Sequence, residues 1–325
     1  HTMKYEEISQ DGFGLYILGN DGALEWLKAM VPSIRHWSPR VSIHLIPFNE
    51  KLDQTRELCQ KYSINILDGF DFAEYDRIGK LLSPDHPNVQ KMFRKLACFI
   101  DGPYERFVYL DADVIGLAPV EIFDTALKQA GNVVLFEGGG DLDFCYPREP
   151  LRSTMQNEYQ TAAFNAGFFG GVKGAFSLDD VRAWADDLLK QKSQCWEQGM
   201  DQPFINYCVD RSGVKRVNLN DALGKRTEFW ARGLHTDLDP GAVNASNVAP
   251  GVYMPVIHWA TFQIKPYMPL RKLWRHYRLG SSSPLERLVY FARHDILERA
   301  QHMIVKRARS VTRRITAASA GSASP

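Results

Sequence analysis

The stretch FVYLDADVIGL, residues 107–117, joins an apolar run to two aspartates, Asp111 and Asp113. Its aromatic and branched residues predict a buried strand. Carboxylates are almost never fully buried unless they are paired or bind a metal. Since residues i and i+2 of a strand face the same side, the two carboxylates can reach one point where the strand ends. The pattern favours Mg²⁺ or Mn²⁺ between them, with a capped surface turn as the alternative.

The segments around this stretch alternate between strand and helix patterns. Apolar runs at 14–20, 41–49 and 64–67 read as short strands, and residues with helical spacing separate them. This alternation predicts an α/β fold with parallel strands joined by helical crossovers. Helices are predicted for 23–37, 51–62, 88–100, 119–129 and 177–191, and further strands for 106–117, 132–137 and 166–172.

Polar groups follow two of these predicted strands directly. Asn20 and Asp21 come after the first strand, and Asp111 and Asp113 end a later one. In open α/β sheets, ligands bind beyond the carboxyl ends of the strands. The sequence therefore predicts one site built from both segments.

Composition places the chain among ordinary globular enzymes. Its 325 residues, 45% hydrophobic and 24% charged, suit one large domain or two modest ones. No stretch approaches the roughly 20 apolar residues of a membrane span. Residues 1–3 are expected to be a cloning remnant. The five cysteines, Cys59, Cys98, Cys145, Cys195 and Cys208, show no metal-binding spacing, which predicts free thiols in a reducing compartment.

The C-terminal segment is strongly basic although the whole chain has a net charge of +1. From Arg271 onward there are twelve Lys and Arg against three Asp and Glu, a balance of +9, so the preceding residues carry −8. A segment of this kind favours phosphate groups, either of lipid or of nucleic acid. Its aromatic residues do not interleave with the basic ones, which disfavours nucleic acid.

A basic amphipathic helix is predicted within residues 268–316. Ser283, Pro284 and Glu286 have the spacing of a capping box. A helix of this kind can lie on an anionic membrane surface. The alternative is a helix packed on its own domain or on a partner subunit. Residues 317–325 are expected to be disordered. The apolar positions at mostly helical spacing are Leu285, Val289, Ile296, Ala300, Ile304, Val311 and Ile315.

Five segments, in order, resemble motifs of glycosyltransferase family 8, the family of glycogenin and of lipopolysaccharide galactosyltransferases. The resemblance spans roughly residues 12–267, and five ordered motifs are more specific than a single short one. It implies a GT-A fold, a Rossmann-like mixed sheet, over residues 4–267. The segments are GNDGA (19–23), the stretch 93–117 that ends in the two aspartates, FNAGFFG (164–170), DQPFIN (201–206) and IHWATFQIKP (257–266).

The resemblance implies a metal-dependent, retaining transfer of a hexose from a UDP-sugar to a hydroxyl acceptor. Asp111, Asp113 and His258 would bind Mn²⁺ or Mg²⁺, which bridges the two phosphates. The residues expected to contact the nucleotide-sugar are Asn20, Lys95, Asp111, Ala112 and Lys265. Asn165, Asp201 and Gln202 would line the donor sugar, with Gln202 closest to the anomeric carbon. The departing phosphate would itself accept the proton of the acceptor.

Each of these residues has a simpler structural interpretation. His258 follows an apolar run and can be a hydrogen-bonded core histidine. Asn165 can make a turn, and Asp201 can cap a helix whose first turn contains Pro203. Lys95 can be a solvated helix lysine, and Asn20 has a comparable structural alternative.

Two departures from the family pattern concern the nucleotide. Gly22 and Ala23 stand where the family commonly has an aromatic residue that stacks on the base. The spacing from His258 to Lys265 is one residue longer than usual, lacks a glycine and ends in Lys-Pro-Tyr. The identity of the base and the contacts to the diphosphate therefore stay open.

Three other functions share part of the pattern. A haloacid-dehalogenase-type phosphatase also has two aspartates after a strand, but near its N-terminus and with a later acidic motif that is missing here. A nucleotidyltransferase needs a basic, glycine-rich loop after the first strand, which the segment from Asn20 lacks. A non-catalytic scaffold that binds nucleotide-sugars at a membrane stays open. We expect a cytoplasmic enzyme, peripheral on the membrane, that acts on a lipid-linked or surface glycan.

Overall fold

A computed structural model describes most of the chain. The described residues are 12–131, 133–136, 163–191, 201–234, 238–260, 264, 268–280, 282–297, 300 and 303–304. Lys265, Cys145 and Cys195 lie outside them, as do most of the residues after 297. Cys59, Cys98 and Cys208 are buried free thiols, as predicted.

A seven-stranded sheet forms the centre of the fold. Its strands are β1 (Phe13–Gly19), β2 (Ile43–Pro47), β3 (Asn65–Ile66), β4 (Arg106–Asp111), β6 (Val133–Phe136), β7 (Phe168–Val172) and β8 (Lys215–Asn218), and β5 (Val114–Gly116) and β9 (Val256–His258) form a separate pair. The order in the sheet is β3-β2-β1-β4-β7-β6-β8. Neighbouring strands are parallel except β7, which runs antiparallel to both β4 and β6.

The alternation of strand and helix patterns predicts parallel strands, and β1, β2 and β3 are parallel, whereas β7 is an antiparallel strand of the same sheet. A buried strand is apolar on both faces whichever way it runs, so the pattern FFGGV identifies the strand without fixing its direction. The resulting sheet is mixed, as the predicted fold class requires.

The strand predicted over 106–117 is divided in two. β4 ends at Asp111, Ala112 and Asp113 form a turn, and β5 then pairs antiparallel with β9. Hydrophobicity continues across the turn because β4 and β5 are both buried. The division directs the two aspartates to the place where β9 ends.

Helices cover both faces of the sheet. They are α1 (Leu24–Trp37), α2 (Asp53–Lys61), α3 (Ala73–Leu82), α4 (Pro87–Gln90), α5 (Ala97–Ile100), α6 (Glu121–Ala130), α7 (Leu178–Lys190), α8 (Asp201–Ser212), α9 (Leu219–Leu223), α10 (Arg271–Gly280) and α11 (Pro284–Tyr290). Two hydrophobic clusters fill the layers on either side of the sheet, and a third surrounds β5 and β9. Within the described residues, no helix is both long and apolar enough to cross a membrane.

The helix predicted over 88–100 is interrupted by a 3₁₀ segment, Lys91–Leu96, between α4 and α5. The end of α4 packs closely on α3, since a Cβ at Gly79 would lie 2.0 Å from the carbonyl oxygen of Gln90. The tighter 3₁₀ turn buries both Arg94 and Lys95, although they are consecutive. The side chain of Lys95 is thereby directed into the protein.

The segment from 268 onward begins inside the fold. α10 packs against α1, and Leu273 and Trp274 are buried in the third cluster. The capping box is confirmed, because Ser283 and Glu286 exchange side chain to backbone hydrogen bonds of 2.7 and 3.2 Å. A π-helical turn, Phe291–Leu297, follows α11. The described part of the predicted tail helix is therefore several short elements.

Candidate active site

Three predicted metal ligands meet at the carboxyl edge of the sheet. Asp111 closes β4 beside Leu18 of β1, and His258 closes β9 opposite Val114. Asp113 stands in the turn between β4 and β5. One ligand atom of each of Asp111, Asp113 and His258 lies within 4.8 Å of the others. The structure thus brings together residues that are as much as 147 positions apart in the sequence (258 less 111).

Asp113 and His258 form a close pair. The Nε2 atom of His258 lies 3.1 Å from Oδ1 of Asp113, and the backbone N–H of Trp259 donates to the Asp113 carbonyl at 3.0 Å. Burial by itself lowers the pKa of His258, but the Asp113 and Asp111 carboxylates together outweigh burial and the pKa is raised. Burial likewise raises the pKa of Asp113, but His258 outweighs it and the pKa is lowered. Each member of the pair thus favours the charged form of the other.

Aromatic rings fix the imidazole of His258. The ring of Trp230 stacks on it at 5.4 Å between centroids with an interplanar angle of 15°, and Phe229 stacks at 5.8 Å and 16°. The Nδ1 atom of His258 is buried and has no hydrogen-bond partner among the described residues. The ring nitrogen that faces the other predicted metal ligands is Nε2, which lies beside Asp113.

Asp111 is held by groups from inside the protein. Its Oδ1 accepts a hydrogen bond of 2.5 Å from the Tyr109 hydroxyl and lies 3.1 Å from the Lys95 ammonium. Its backbone N–H donates to the Gly167 carbonyl at 2.8 Å. Burial, and then the neighbouring Asp111 carboxylate, raise the pKa of Tyr109 far above its ordinary value, so its hydroxyl keeps its proton and acts as a donor.

Lys95 is buried at the centre of the site. Its ammonium lies 2.8 Å from Oδ2 of Asp201, 3.1 Å from Oδ1 of Asp111 and 3.2 Å from the Ala166 carbonyl. Burial lowers the pKa of Lys95, but the two carboxylates outweigh burial and the pKa is raised. The alternative of a solvated helix lysine is wrong, since the side chain is only 3% exposed.

The segment FNAGFFG and the start of α8 are tied together. The backbone N–H of Ala166 donates to Oε1 of Gln202 at 3.1 Å, and Asn206 exchanges hydrogen bonds of 2.8 and 2.9 Å with the backbone of Phe164. Asn165 accepts a 2.7 Å hydrogen bond from the N–H of Gly167, as its turn interpretation predicts. These contacts place Gln202 and Asn165 beside the metal-ligand cluster.

Gly167 lies in close contact with the predicted ligands. A Cβ at this position would lie 2.4 Å from Cε1 of His258, 2.7 Å from Oδ2 of Asp111 and 2.8 Å from Oδ1 of Asn165, so a larger residue would displace them. Two carboxylates and an imidazole, with one ligand atom of each within 4.8 Å of the others, are a donor set that Mg²⁺ or Mn²⁺ accepts. The residues present therefore fit a divalent cation.

The loop after β1 has mainly structural contacts in the described residues. The side chain of Asn20 accepts a hydrogen bond from the N–H of Ala23 at 3.2 Å, so it caps the 3₁₀ turn Asp21–Ala23. Asp21 accepts two hydrogen bonds of 2.8 Å from the N–H and hydroxyl of Thr55 at the start of α2. Asn20 thus has a structural role in the loop, and its contact with a nucleotide stays a prediction.

The remaining predicted residues have different positions. Asp201 is the first residue of α8 and Pro203 lies in its first turn, close to the capping interpretation. Ala112 is half-buried between the two aspartates. Lys265 lies outside the described residues.

Three residues at the site were missed from the sequence. Tyr109 lies within a predicted strand and Gly167 within a motif, but no site role is predicted for either of them or for Trp230. Tyr109 had a detectable signal, because it stands two positions before Asp111 on the same face of β4. Trp230 had none, since only the tertiary structure brings it to His258.

Comparison with known proteins rests on structure. No family model and no curated protein matches the sequence. An apo structure of the WbbM bifunctional glycosyltransferase is similar with a TM-score of 0.52 and 16% identity, over 87% of this chain and 52% of that chain. Mouse xyloside xylosyltransferase 1 is similar with a TM-score of 0.49 and 11% identity, over 77% of this chain and 98% of that chain. The galactosyltransferase LgtC, in complex with donor and acceptor sugar analogues, has a TM-score of 0.47 and 14% identity, over 84% of this chain and 98% of that chain.

The similarity to WbbM shows the fold, which is the GT-A fold of nucleotide-sugar transferases. The predicted fold class is confirmed. This chain spans about half the length of the WbbM structure. Membership of family 8 in particular stays a prediction.

Proposed function

We propose that this protein is a metal-dependent glycosyltransferase that moves a hexose from a UDP-sugar to a hydroxyl acceptor with retention of configuration. The observation that carries the proposal is the meeting of Asp111, Asp113 and His258 within 4.8 Å at the carboxyl edge of the sheet. Ligands of open α/β sheets bind at this edge. The fold shared with the WbbM glycosyltransferase supports this chemistry.

The proposed cation would neutralise negative charge on the diphosphate as the glycosidic bond breaks. Asp111 and Asp113 would hold it through carboxylate oxygens and His258 through an imidazole nitrogen. Ala112, Asn20 and Lys265 would contact the nucleotide or its diphosphate. With the diphosphate so held, the anomeric carbon would face the residues that start α8.

Asn165, Asp201 and Gln202 would bind the donor sugar, with Gln202 closest to the anomeric carbon. The Asp201 carboxylate lies 2.8 Å from the buried Lys95 ammonium, an ion pair that lowers its nucleophilicity. This argues for front-face transfer, in which the departing phosphate oxygen accepts the acceptor's proton while the acceptor oxygen bonds to carbon. Lys95 would not contact the diphosphate directly. It would instead hold the carboxylates of Asp111 and Asp201 in place.

A haloacid-dehalogenase-type phosphatase is disfavoured by the sequence instead, because its two aspartates stand near the N-terminus and its later acidic motif is missing here. A non-catalytic scaffold predicts binding of nucleotide-sugar without turnover.

Hydrolysis of a UDP-sugar tests the proposal, because a competent transfer site leaks some transfer to water. We expect UDP release from UDP-glucose or UDP-galactose that requires Mn²⁺ and falls at least tenfold in Asp113→Asn, because a neutral amide replaces a charged carboxylate ligand. Asp68→Asn is the matched control, because Asp68 is an exposed carboxylate paired with Arg56. UDP release independent of Mn²⁺, or equal in both variants, contradicts the proposal. Metal-dependent binding without any turnover supports the scaffold.

We also propose that the C-terminal segment binds an anionic lipid surface on the cytoplasmic face of the membrane, which would bring the enzyme to a lipid-linked acceptor. Among the described residues, the large hydrophobic side chains that are exposed all lie between 285 and 304. They are Leu285, Leu288, Val289, Ile296, Met303 and Ile304, each between 58% and 69% exposed. Tyr290 on the opposite side of α11 is buried against the third cluster. An apolar face on a segment of charge +9 is suited to anionic lipid.

Sedimentation with vesicles tests this second proposal. We expect the full chain to sediment with phosphatidylglycerol vesicles and to stay in solution with phosphatidylcholine. The double variant Leu288→Glu, Val289→Glu should lose sedimentation, and Thr125→Glu, an exposed change on α6, should not. Sedimentation that is equal for the wild type and the double variant, or missing for the wild type, contradicts the lipid surface and leaves the transferase proposal intact.

A further inference from the structure

The two oxygens of the Asp111 carboxylate have different surroundings. Oδ1 accepts from the Tyr109 hydroxyl at 2.5 Å and lies 3.1 Å from Lys95. Oδ2 is turned toward Gly167 and His258, since a Cβ added at Gly167 would lie 2.7 Å from Oδ2 and 2.4 Å from Cε1 of His258. One oxygen is thus engaged by the protein, and the other lies beside the imidazole.

The engagement of Oδ1 is a fixed feature of the interior. Tyr109 is fully buried, and its ring stacks on Phe169 at 5.0 Å with an interplanar angle of 18°. The Lys95 ammonium lies over the same tyrosine ring, 5.1 Å from its centroid. A phenol packed in this way can place its hydroxyl at one point only, and that point is Oδ1 of Asp111.

We propose that Tyr109 is a positioning residue that makes Asp111 a one-oxygen ligand. By donating to Oδ1, together with Lys95, it leaves Oδ2 as the oxygen that Asp111 offers to the divalent cation. This inference rests on the proposed function, because the cation is its premise.

The number of oxygens offered bears on which metal is bound. Mg²⁺ requires near-ideal octahedral geometry with few carboxylate ligands, whereas Ca²⁺ takes six to eight oxygens and accepts bidentate carboxylates. An Asp111 restricted to Oδ2 disfavours the larger ion. Loss of the Tyr109 hydroxyl frees a hydrogen-bonding site on Oδ1, so the carboxylate gains freedom to rotate and to offer both oxygens. Tyr109 therefore acts on metal selectivity as well as on affinity.

The variant Tyr109→Phe removes the hydroxyl and keeps the ring that packs on Phe169. Tyr104→Phe is the matched control, because Tyr104 is also fully buried and its hydroxyl bonds Ser42 and His44, away from the cluster. Mn²⁺ binding in the presence of UDP is measured by electron paramagnetic resonance of the free ion, and Ca²⁺ is then titrated as competitor. Circular dichroism verifies the fold of both variants.

We expect Tyr109→Phe to bind Mn²⁺ about tenfold more weakly and to lose its Mn²⁺ at a lower ratio of Ca²⁺ to Mn²⁺. Tyr104→Phe should equal the wild type in both measurements. Unchanged affinity and unchanged Ca²⁺ competition in Tyr109→Phe overturn the inference while the proposed function stands. A wild type that binds no Mn²⁺ overturns the proposed function itself. If Tyr109→Phe does not fold, a crystal structure of the wild type with Mn²⁺ decides, since ligation through Oδ1 of Asp111 contradicts the inference and ligation through Oδ2 alone supports it.

Discussion

The Lys95 ammonium lies 2.8 Å from the carboxylate of Asp201. The same ammonium contacts Asp111 at 3.1 Å, so one buried cation joins the metal-ligand cluster to the start of α8. An uncompensated carboxylate in a buried site is costly, and Lys95 supplies the compensation for both. The proposed metal and sugar subsites are therefore coupled through one side chain.

Lys95→Met should destabilise the protein strongly. The change leaves Asp201 buried without its ion-pair partner, a loss of about 3–5 kcal/mol in the free energy of unfolding. Urea denaturation at neutral pH measures it. Lys91→Met is the matched control, because Lys91 is in the same 3₁₀ segment but pairs with the exposed Glu50 and should cost about 0–1 kcal/mol. Equal losses in the two variants would show that the buried pairs do not carry the stability assigned to them.

Gly167→Ala should impair ligand binding. The added Cβ would occupy the space between His258, Asp111 and Asn165, and overpacking of this degree costs about 1–3 kcal/mol. Mn²⁺-dependent UDP affinity should accordingly fall about tenfold or more. In Gly280→Ala, where a Cβ meets nothing within 4 Å, the affinity should be unchanged. Full UDP affinity in Gly167→Ala would contradict a cation held beside Gly167 by Asp111 and His258.

His44 should make the protein less stable at acid pH. Burial lowers the pKa of His44 to about 4. Between about 4 and 6.5 the unfolded chain binds a proton that the folded protein does not, so stability rises with pH across this window, by about 3 kcal/mol in total. Below about pH 4 His44 is protonated in both states, so the stability that its neutral form contributes at higher pH is lost. In His44→Gln the free energy of unfolding should depend less steeply on pH between 4 and 6.5, and an unchanged slope rejects the assignment.

Trp274→Ala should destabilise the folded body, because Trp274 is fully buried where α10 packs on α1. Loss of so large a buried ring costs about 3–5 kcal/mol. Lys272→Ala, an exposed change in the same helix, should stay within about 0.5 kcal/mol of wild type. Thermal unfolding distinguishes the two. If Trp274→Ala left the unfolding temperature unchanged, the packing of α10 on α1 would not contribute to the stability of the fold.

Much of the fold could be predicted from local pattern. Strands β1, β2 and β4 and helices α1 and α2 follow from hydrophobic spacing, and the capping box at Ser283 follows from residue identity. The direction of β7 could not be predicted, because an apolar strand reads the same either way. The turn at Ala112 could not be predicted either, because the strands on both sides of it are buried and read as one continuous hydrophobic run.

The site was predictable only in part. Asp111, Asp113 and His258 were found through their order in motifs, and the structure brings them together. The burial of Lys95 depends on the 3₁₀ segment. This segment accompanies the close packing of α4 on α3, and no local sequence pattern predicts it. The stacking of Trp230 on His258 arises from a contact between distant segments. Such tertiary relationships are what a single sequence does not encode locally.

The central claim is that Asp111, Asp113 and His258 hold a cation that binds a nucleoside diphosphate. Calorimetric titration of UDP with and without Mn²⁺, on the wild type and on Asp113→Ala, tests it most directly. We predict UDP binding that requires Mn²⁺ in the wild type and is lost in Asp113→Ala. UDP binding that is indifferent to both the metal and the substitution would contradict the claim, and the two aspartates would then have a structural role alone.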